Sequence, residues 1–271
     1  MCIRDRFGSG GATSGYLLHR VLERHGGELP ENAVAVFMNT GKEREETLRF
    51  VREMEQRWAV DIVWIEYWRN EGATGYRNDP KNMYKIVDIE TASRKGEPFE
   101  EAMKARKSIP STNQRFCTTM LKIHPSDRFL KFELGWERKE VRKLLGIRAD
   151  ESQRGTVAIF SECLVELPLI ASDITREDIK DFWDGQPFRV EVPSGLGNCD
   201  LCFMKSINIA KSILKKEPER AKWWEKMEKD YGRGARFRRD VPIKELAQAA
   251  ASEEVFEEPW PSGIQCYCGD D

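Results

Sequence analysis

A glycine-rich stretch near the start of the chain, Phe7-Gly8-Ser9-Gly10-Gly11-Ala12-Thr13-Ser14-Gly15, leads directly into a predicted helix. Apolar residues recur at helical spacing from Leu17 to Leu22, and Gly26-Gly27 is a plausible end of this helix. Glycines let the backbone approach an anion closely, and the amides and dipole of a helix start attract negative charge. The stretch therefore predicts a phosphate-binding loop. Its candidate contacts are Ser9, Gly10, Gly11, Thr13 and Ser14.

Alternating strands and helices are predicted downstream of this loop. Ala33–Met38 is a continuous apolar run typical of a buried parallel strand, Glu45–Trp58 a helix, and Ile62–Ile65 a second buried strand. Strand, helix and strand at this spacing predict a βαβ unit, and hence a parallel sheet with right-handed crossovers. Val141–Ile147 predicts a further strand. The charged hexamer Met1–Arg6, in contrast, makes a poor strand in front of the phosphate loop.

Residues 67–112 are polar and weakly patterned, with glycines and prolines that interrupt any long element. A short helix is predicted near Glu100–Lys107. A segment of this length inside a compact domain is more often a substrate-covering loop than a simple connection.

Composition restricts the classes of protein to which the chain can belong. Its 271 residues are 40% hydrophobic and 33% charged, with a net charge of −2, which gives no overall electrostatic attraction to nucleic acid. No apolar run approaches membrane-spanning length, so no membrane partner is expected. Seven cysteines without a secretory signal indicate reduced thiols for metal binding or redox work, and a cytoplasmic location.

Four motifs, in the same order along the chain, resemble those of the phosphoadenosine phosphosulfate (PAPS) reductase family. Residues 9–14 (S-G-G-A-T-S) resemble the S-G-G-x-D-S loop of adenine nucleotide α-hydrolases and sulfonucleotide reductases, with Thr13 at the aspartate position. Residues 39–47 resemble the N/D-T-G-x-x-x-x-E-T signature, and residues 146–151 keep G-I-R-A-D-E in full. Residues 117–125 match C-C-x-x-R-K-V-x-P at Cys117, Lys122 and Pro125, but carry Thr118 and Leu121 in place of a cysteine and an arginine.

The resemblance implies an α/β fold with a mostly parallel, doubly wound sheet of the adenine nucleotide α-hydrolase type. Residues 1–192 would form the nucleotide-binding domain, and residues 193–271 a C-terminal helical, cysteine-containing extension. The implied ligand is an adenine nucleotide: PAPS, adenosine phosphosulfate or ATP. Arg115 and Lys122 bracket Cys117 in a predicted crevice loop. Beyond the phosphate loop, the candidate nucleotide contacts are Thr40, Gly41, Arg115, Lys122, Arg148, Asp150 and Arg154.

Two cysteine pairs make a metal site possible. Cys199 and Cys202 form a C-x-x-C pair, and Cys266 and Cys268 a C-x-C pair near the end of the chain. Four thiolates could hold zinc or a 4Fe–4S cluster, with Cys117 as a substitute ligand. A thioredoxin-like redox pair and free buried thiols are the alternatives.

Three functions remain open. In the reductases, a cysteine near the C-terminus within an E-C-G-x-H motif attacks the sulfate sulfur, and thioredoxin or glutaredoxin releases sulfite. The resemblance therefore implies an oxidoreductase with a thioredoxin-type reductant as partner and with Cys266 or Cys268 as nucleophile, although that motif is absent. The alternatives are an ATP pyrophosphatase-type sulfurtransferase that modifies a nucleic acid, and an inactive nucleotide-binding accessory protein. The basic run 233–239 could grip nucleic acid, but the net charge favours a solvated or interdomain segment.

Overall fold

The computed structural model describes residues 4–7, 10–72, 82–112, 114–153, 164–192, 196–197, 199–239 and 241–252. Within these ranges the strands form one sheet with the order β4-β3-β2-β1-β5-β6. The strands are β1 (Arg4–Phe7), β2 (Ala33–Asn39), β3 (Ile62–Arg69), β4 (Asn82–Val87), β5 (Val141–Leu144) and β6 (Leu164–Glu166).

Helices make up much of the rest of the described chain. A π-helical segment, Thr118–Ile123, runs directly into α4, and Pro218–Arg220 is a 3-10 turn before α8. No helix in the described ranges is both long enough and apolar enough to cross a bilayer. The α-helices are α1 (Ala12–Arg24), α2 (Glu45–Trp58), α3 (Glu97–Arg106), α4 (His124–Phe132), α5 (Pro168–Ala171), α6 (Arg176–Asp184), α7 (Ile207–Lys216), α8 (Ala221–Tyr231) and α9 (Ile243–Ser252).

The sheet is mostly parallel, and its central strand comes from the charged start of the chain. β1 pairs in parallel with β2 on one side and β5 on the other, so that Arg6 lies opposite both Val34 and Lys143. The expectation that Met1–Arg6 makes a poor strand is therefore corrected for residues 4–6. Two neighbouring strands supply the backbone hydrogen bonds, and this tertiary context outweighs a weak local pattern.

The long polar segment holds more regular structure than its sequence predicted. β3 continues to Arg69, and β4 pairs with it in antiparallel fashion, from Trp64 opposite Val87 to Arg69 opposite Asn82. The predicted short helix is confirmed as α3, which begins three residues earlier than expected. β4 is the antiparallel edge strand of a mixed α/β fold.

Apolar side chains pack on both faces of the sheet. On one face, Phe37 of β2 and Trp64 of β3 join a cluster with α1, α2 and α6. On the other, Met38 and Ile65 pack against Phe129 of α4. The alternation along β2 and β3 thus distributes neighbouring side chains between two separate clusters, as expected for strands buried on both sides.

The C-terminal helices share a third apolar cluster with the first half of the chain. Trp224 of α8 is fully buried there, in ring contact with Phe99 of α3 at 5.7 Å and with Phe237 at 4.8 Å. Leu121 of the π-helical segment belongs to the same cluster. This packing holds the Cys199–Cys202 segment against the loops at the end of the sheet.

Candidate functional site

The carboxyl ends of β1, β2 and β5 lie at the same edge of the sheet, because these strands are parallel. β1 lies between β2 and β5, so the chain connections leave the centre of the sheet in opposite directions. In open α/β sheets, such a reversal opens a crevice beyond the strand ends where ligands bind. The loops at this crevice lead from β1 into α1, from β2 through the Asn39–Glu43 turn, and from β5 through residues 145–148.

The loop after β1 places the start of α1 at this crevice. Gly11 precedes the helix with an extended backbone (φ −92°, ψ 164°) and no side-chain cap, and the first turn holds no acidic residue. The positive end of the helix dipole therefore points into the crevice without a carboxylate to offset it. Thr13 is buried and Ser14 half-buried in this turn, whereas Ser9 lies outside the described residues.

Close packing fixes the glycines of this loop. A Cβ at Gly10 would lie 2.7 Å from Phe37 Cε2 and 2.9 Å from Thr47 Cγ2, so β2 and α2 leave no room for a side chain. Trp183 of α6 donates from Nε1 to the carbonyl oxygen of Ala12 at 3.0 Å. The turn is therefore held by apolar neighbours and one hydrogen bond to its backbone.

The loop after β5 packs against the same turn. A Cβ at Gly146 would lie 3.2 Å from Ser14 Cα, so this glycine permits close backbone contact. Arg148 is 4% exposed, and its Nε and Nη2 donate to the two carboxylate oxygens of Asp150 at 3.1 and 3.2 Å. Glu151 lies 3.5 Å from the same guanidinium. Two carboxylates thus orient Arg148 at the crevice edge, whereas Arg154 lies outside the described residues.

The turn after β2 is fixed by a buried amide and a buried carboxylate. Asn39 donates from Nδ2 to Glu66 Oε1 at 2.7 Å and to the Ser93 carbonyl at 2.8 Å, and its Oδ1 accepts from Gly41 N at 3.1 Å. Glu66 also accepts from the backbone and hydroxyl of Ser93, at 2.6 and 2.7 Å. Gly41 has φ +74°, and a Cβ there would lie 2.8 Å from Pro98. The sequence pointed to Gly41 but gave no sign of Glu66 or Ser93.

Thr40 connects this turn to the C-x-x-C segment. Its hydroxyl donates to Glu43 Oε1 at 3.1 Å and accepts from Lys42 N at 3.3 Å. The same oxygen lies 3.4 Å from Cys199 Sγ. The structure therefore brings together Thr40 and Cys199, which the sequence had assigned to separate nucleotide and metal sites.

A buried ion network lies behind Cys199. Asp200 Oδ2 lies 3.0 Å from Lys42 Nζ and 3.2 Å from Arg220 Nη1, while Oδ1 accepts from Trp224 Nε1 at 2.8 Å. Lys42 also lies 4.8 Å from the centre of the Trp223 ring. We call Lys42, Asp200, Arg220 and Trp224 the Asp200 network. Sequence analysis missed it, because pairing of Lys42 with Asp200 depends on tertiary contact alone.

The network continues through Glu217. This carboxylate accepts from Arg44 Nη2 at 2.9 Å and also pairs with Arg220. The backbone of Asp200 donates to the Lys42 carbonyl at 3.0 Å, which adds a main-chain contact. The C-terminal helices are thus joined to the β2–α2 turn by charges and backbone together.

No disulfide joins the cysteines Cys117, Cys199 and Cys202 of the described part. Burial raises the pKa of the Cys199 thiol well above its usual value, and the negative charge of Glu43 raises it further. The positive charge of Lys122 and the contact with Thr40 act in the opposite direction. Cys117 contributes to the same shift and so lies near Cys199. Cys202 is 6% exposed. Cys199 is therefore protonated at neutral pH, which makes it a poor nucleophile.

No group of three or more metal-ligating side chains comes together among the described residues. Cys266 and Cys268, the other two predicted ligands and the predicted nucleophiles, lie outside those residues. Cys117, Cys199 and Cys202 alone do not supply a metal centre.

The segment from Arg115 to Lys122 was predicted as a loop and is helical instead from residue 116. The His124 amide donates to the Thr119 carbonyl, the five-residue step of a π-helix. Pro125 falls in the first turn of α4, where a missing N–H costs little. Arg115 and Lys122 are half-buried. The positive charge of Lys122 lowers the pKa of the Cys199 thiol, against the larger effect of burial.

Comparison with known proteins finds a similar phage protein. No family model matches the chain. Over 201 residues it is 33% identical to a protein of Escherichia phage lambda described as the uncharacterized nin region protein ORF290. The alignment covers 73% of this chain and 64% of the phage protein, so the chain spans less than two thirds of that relative's length.

Proposed function

We propose that the protein binds the phosphates or phosphosulfate of an adenine nucleotide at the start of α1 and acts in sulfonucleotide reduction or sulfur transfer. The observation that carries this proposal is the position of the uncapped α1 start, at the point where the sheet connections reverse between β1 and β5. Helix starts at such points are ready-made anion sites. In this proposal the sheet is the doubly wound sheet of the adenine nucleotide α-hydrolases.

The side chains around the crevice have complementary roles in this proposal. The backbone at Gly10 and Gly11 approaches the phosphates, and the hydroxyls of Thr13 and Ser14 donate to their oxygens. Thr40 and Gly41 line the end of the neighbouring strand, and Asp150 holds Arg148 in place at the edge. Arg115 and Lys122 add positive charge from the helical side. All these groups bind or orient an anion, which favours a phosphorylated ligand over a neutral one.

The redox chemistry proposed from the family resemblance is assigned to Cys266 and Cys268 of the C-terminal extension. A thiolate of Cys266 or Cys268 attacks the sulfur of the phosphosulfate, and the sulfur–oxygen bond to the phosphate breaks, with the electron pair leaving on the nucleotide. A thioredoxin-type dithiol then reduces the sulfonated cysteine, becomes a disulfide and releases sulfite. The buried, protonated Cys199 is less suited to this attack.

A metal held by Cys199, Cys202, Cys266 and Cys268 is the alternative role of these thiols, because a ligated Cys266 or Cys268 is not free to attack the sulfur, and no reaction step is assigned to the metal. Anaerobic purification followed by metal analysis tests the site, with about one zinc per chain or a brown iron–sulfur protein as the expected result. The variant Cys199→Ala should lose the metal. Metal-free wild-type protein contradicts this part of the proposal and leaves the nucleotide site standing.

Thermal unfolding with nucleotides tests the central claim. PAPS, adenosine phosphosulfate or ATP with magnesium should raise the melting temperature, since a ligand at about 100 times its Kd adds about 2.7 kcal/mol. Gly11→Val should abolish this shift because a branched side chain blocks the backbone at the helix start. Gly185→Val is the matched control at an exposed glycine, where a Cβ meets nothing closer than 3.5 Å. It should keep the full shift.

The ranking of nucleotides separates the candidate activities. A preference for PAPS or adenosine phosphosulfate, with sulfite release dependent on reduced thioredoxin and on Cys266 or Cys268, supports the reductase. A preference for ATP with magnesium favours the sulfurtransferase, and nucleotide binding without turnover favours the accessory protein. A folded protein that shifts with none of these nucleotides contradicts the nucleotide site.

A further inference from the structure

Basic charge is concentrated in one part of the chain. Residues 205–239 contain twelve lysines and arginines against five acidic residues, whereas the whole chain has a net charge of −2. This part comprises α7, α8 and the segment that follows α8. Although the overall charge is close to zero, this part of the chain carries a local excess of positive charge.

The segment after α8, residues 232–239, forms what we call the arginine loop, and its backbone is firmly anchored. Phe237 is fully buried against Trp224 and Phe203. Arg238 is buried as well, and its Nη1 donates to the carbonyls of Phe203 and Lys205 at 3.2 and 2.7 Å. Two inward side chains therefore hold the loop in one conformation.

Glu228 of α8 fixes the loop from the other side. Its two carboxylate oxygens accept from the backbone amides of Phe237, at 3.1 Å, and Ile243, at 3.0 Å. A Cβ at Gly232 would lie 2.3 Å from the Glu228 carbonyl oxygen, so the exit from α8 is tightly packed. The loop is therefore a rigid platform for the side chains that point outward.

Those outward side chains are Arg233, Arg236 and Arg239, which are all exposed. None of the three forms a salt bridge or side-chain hydrogen bond with the residues that the structure describes. Arg236 acts on Glu228 only at longer range. Burial raises the pKa of the Glu228 carboxyl, and the positive charge of Arg236 lowers it by a smaller amount. Three guanidinium groups are thus presented to solvent on a fixed backbone.

Arg233 occupies a backbone conformation that disfavours side chains. Its φ is +49°, and the next residue, Gly234, has φ +88°. Glycine would adopt this left-handed conformation more easily than arginine. An exposed arginine therefore stands at a position where glycine would be the easier residue.

Lysines of α8 extend the positive surface toward the loop. Lys222, Lys226 and Lys229 are exposed and follow one another at steps of four and three residues, which places them on one face of the helix. Lys226 is engaged by Glu100 at 3.4 Å and Asp230 at 3.0 Å. This helix ends at Tyr231, and Arg233 follows two residues later, so the arginine loop begins where the row of lysines ends.

We propose that the arginine loop and this face of α8 bind the phosphate backbone of a nucleic-acid duplex without reading its sequence. Guanidinium groups match phosphate oxygens in a bidentate geometry, and backbone contacts of this kind position a protein on a duplex. Binding of single strands relies on exposed aromatic rings on which bases stack. Because Phe237 is buried, the loop offers cations without a stacking ring, which favours a duplex.

Fluorescence anisotropy with a 20-base-pair DNA duplex tests this surface. The wild-type protein should bind at 50 mM salt, and its affinity should fall steeply as salt increases. In the variant R233A/R236A/R239A, the slope of log K against log salt should fall by about 2.7, since each phosphate contact contributes about 0.9. Affinity at 50 mM salt should drop about tenfold or more.

The matched control removes three other exposed cations, in the variant R24A/R49A/K139A. It has the same net charge as the loop variant and should keep at least most of the wild-type affinity and slope. Equal losses in both variants would show that net charge alone drives binding. That result overturns the proposal, as does a wild-type protein that fails to bind duplex or binds the single strand more tightly.

Arg233→Gly separates recognition from stability. It removes one cation and relieves the left-handed strain, so it should weaken duplex binding and lower the salt slope by about 0.9. At the same time it should raise the melting temperature by about 2 °C. A variant that binds the duplex as well as the wild-type protein overturns the assigned role of Arg233.

Discussion

Two loops at the same edge of the sheet are held in place by opposite means. The loop from β1 into α1 is fixed by apolar contacts, with Gly10 packed against Phe37, and by Trp183 bonded to the Ala12 carbonyl. The turn from β2 into α2 is fixed by buried polar and charged groups, Asn39 with Glu66 and Lys42 with Asp200. The first arrangement leaves the start of α1 without a side-chain cap and without an acidic residue in its first turn, whereas in the second the charged side chains pair with one another.

This difference suggests different roles for the two loops, ligand binding for one and structural support for the other. Charges around the β2–α2 turn are neutralised by partners from within the chain, so they have little left for a ligand. The α1 start has no such partner among its first-turn side chains. In the proposed function the phosphates therefore belong at the first loop, whereas the contacts of the second loop join the C-terminal helices to the sheet.

Removing the charge of Asp200, at the centre of the Asp200 network, should have the largest effect on stability. Asp200→Asn leaves the buried Lys42 without its carboxylate and takes one of two carboxylates from the half-buried Arg220, which should lower the free energy of unfolding by about 3–5 kcal/mol. Urea denaturation measures this loss. Asp230→Asn is the control, because this exposed partner of Lys226 should change stability by less than about 1 kcal/mol.

A double variant sharpens the same prediction. Lys42→Met together with Asp200→Leu replaces the ion pair by apolar side chains and should recover part of the loss seen in Asp200→Asn. Equal stability of Asp200→Asn and Asp230→Asn would show that the Asp200 network does not support the turn.

Adding a methyl group to the apolar support should have a smaller effect. Gly10→Ala forces a Cβ against Phe37 and Thr47 and should lower the free energy of unfolding by about 1–3 kcal/mol. Gly185→Ala, at an exposed position where a Cβ makes only ordinary contacts, should stay within about 0.5 kcal/mol of the wild type. If the two alanine variants are equally stable, the packing around Gly10 is looser than the contacts indicate.

The smallest effect on stability should come from pH, through His19 of α1 and the aromatic side chains around it. His19 packs between Trp58 and Phe182, at ring distances of 5.2 and 4.8 Å, and burial lowers its pKa below 6.5. The unfolded chain therefore binds a proton at higher pH than the folded one does. The contribution of His19 to stability is intact above pH 6.5 and decreases as the pH falls through that value.

Melting temperatures at pH 7.5 and 5.5 measure this effect. In the His19→Phe variant the decrease between the two pH values should be smaller than in the wild type. His25→Gln, at the exposed end of the same helix, should follow the wild type. A His19→Phe variant with an unchanged pH dependence would remove His19 as the source.

The elements recognised from sequence are those with a strong local pattern. The α2 boundaries, Glu45 to Trp58, were predicted correctly, because an amphipathic stretch with acidic residues in its first turn specifies a helix by itself. α6 likewise begins with a local signal, a capping box in which Asp178 accepts from the Thr175 amide at 2.8 Å. β1 and β4 were not recognised, because their pairing partners and not their own residues make them strands.

The candidate site divides in the same way. The glycine-rich loop and the Asn39–Glu43 turn were found from motifs, whereas the contact of Cys199 with Thr40 required the fold. The arginine run was noticed for its interleaved aromatic residue, but Phe237 is buried and therefore serves the core. Sequence motifs pointed to the candidate residues, and only tertiary packing showed which of them lie together.

The central position of β1 has a consequence for the time course of folding. β1 is synthesised well before β5, one of its two neighbours, so Phe7 can pair with Leu144 only after that later strand has been made. At about 5–20 residues per second, this delay lasts several seconds or more during synthesis. Contacts between such distant residues also slow folding in solution. The middle of the sheet, and the crevice above it, should therefore form late, after the β2–β3 pair.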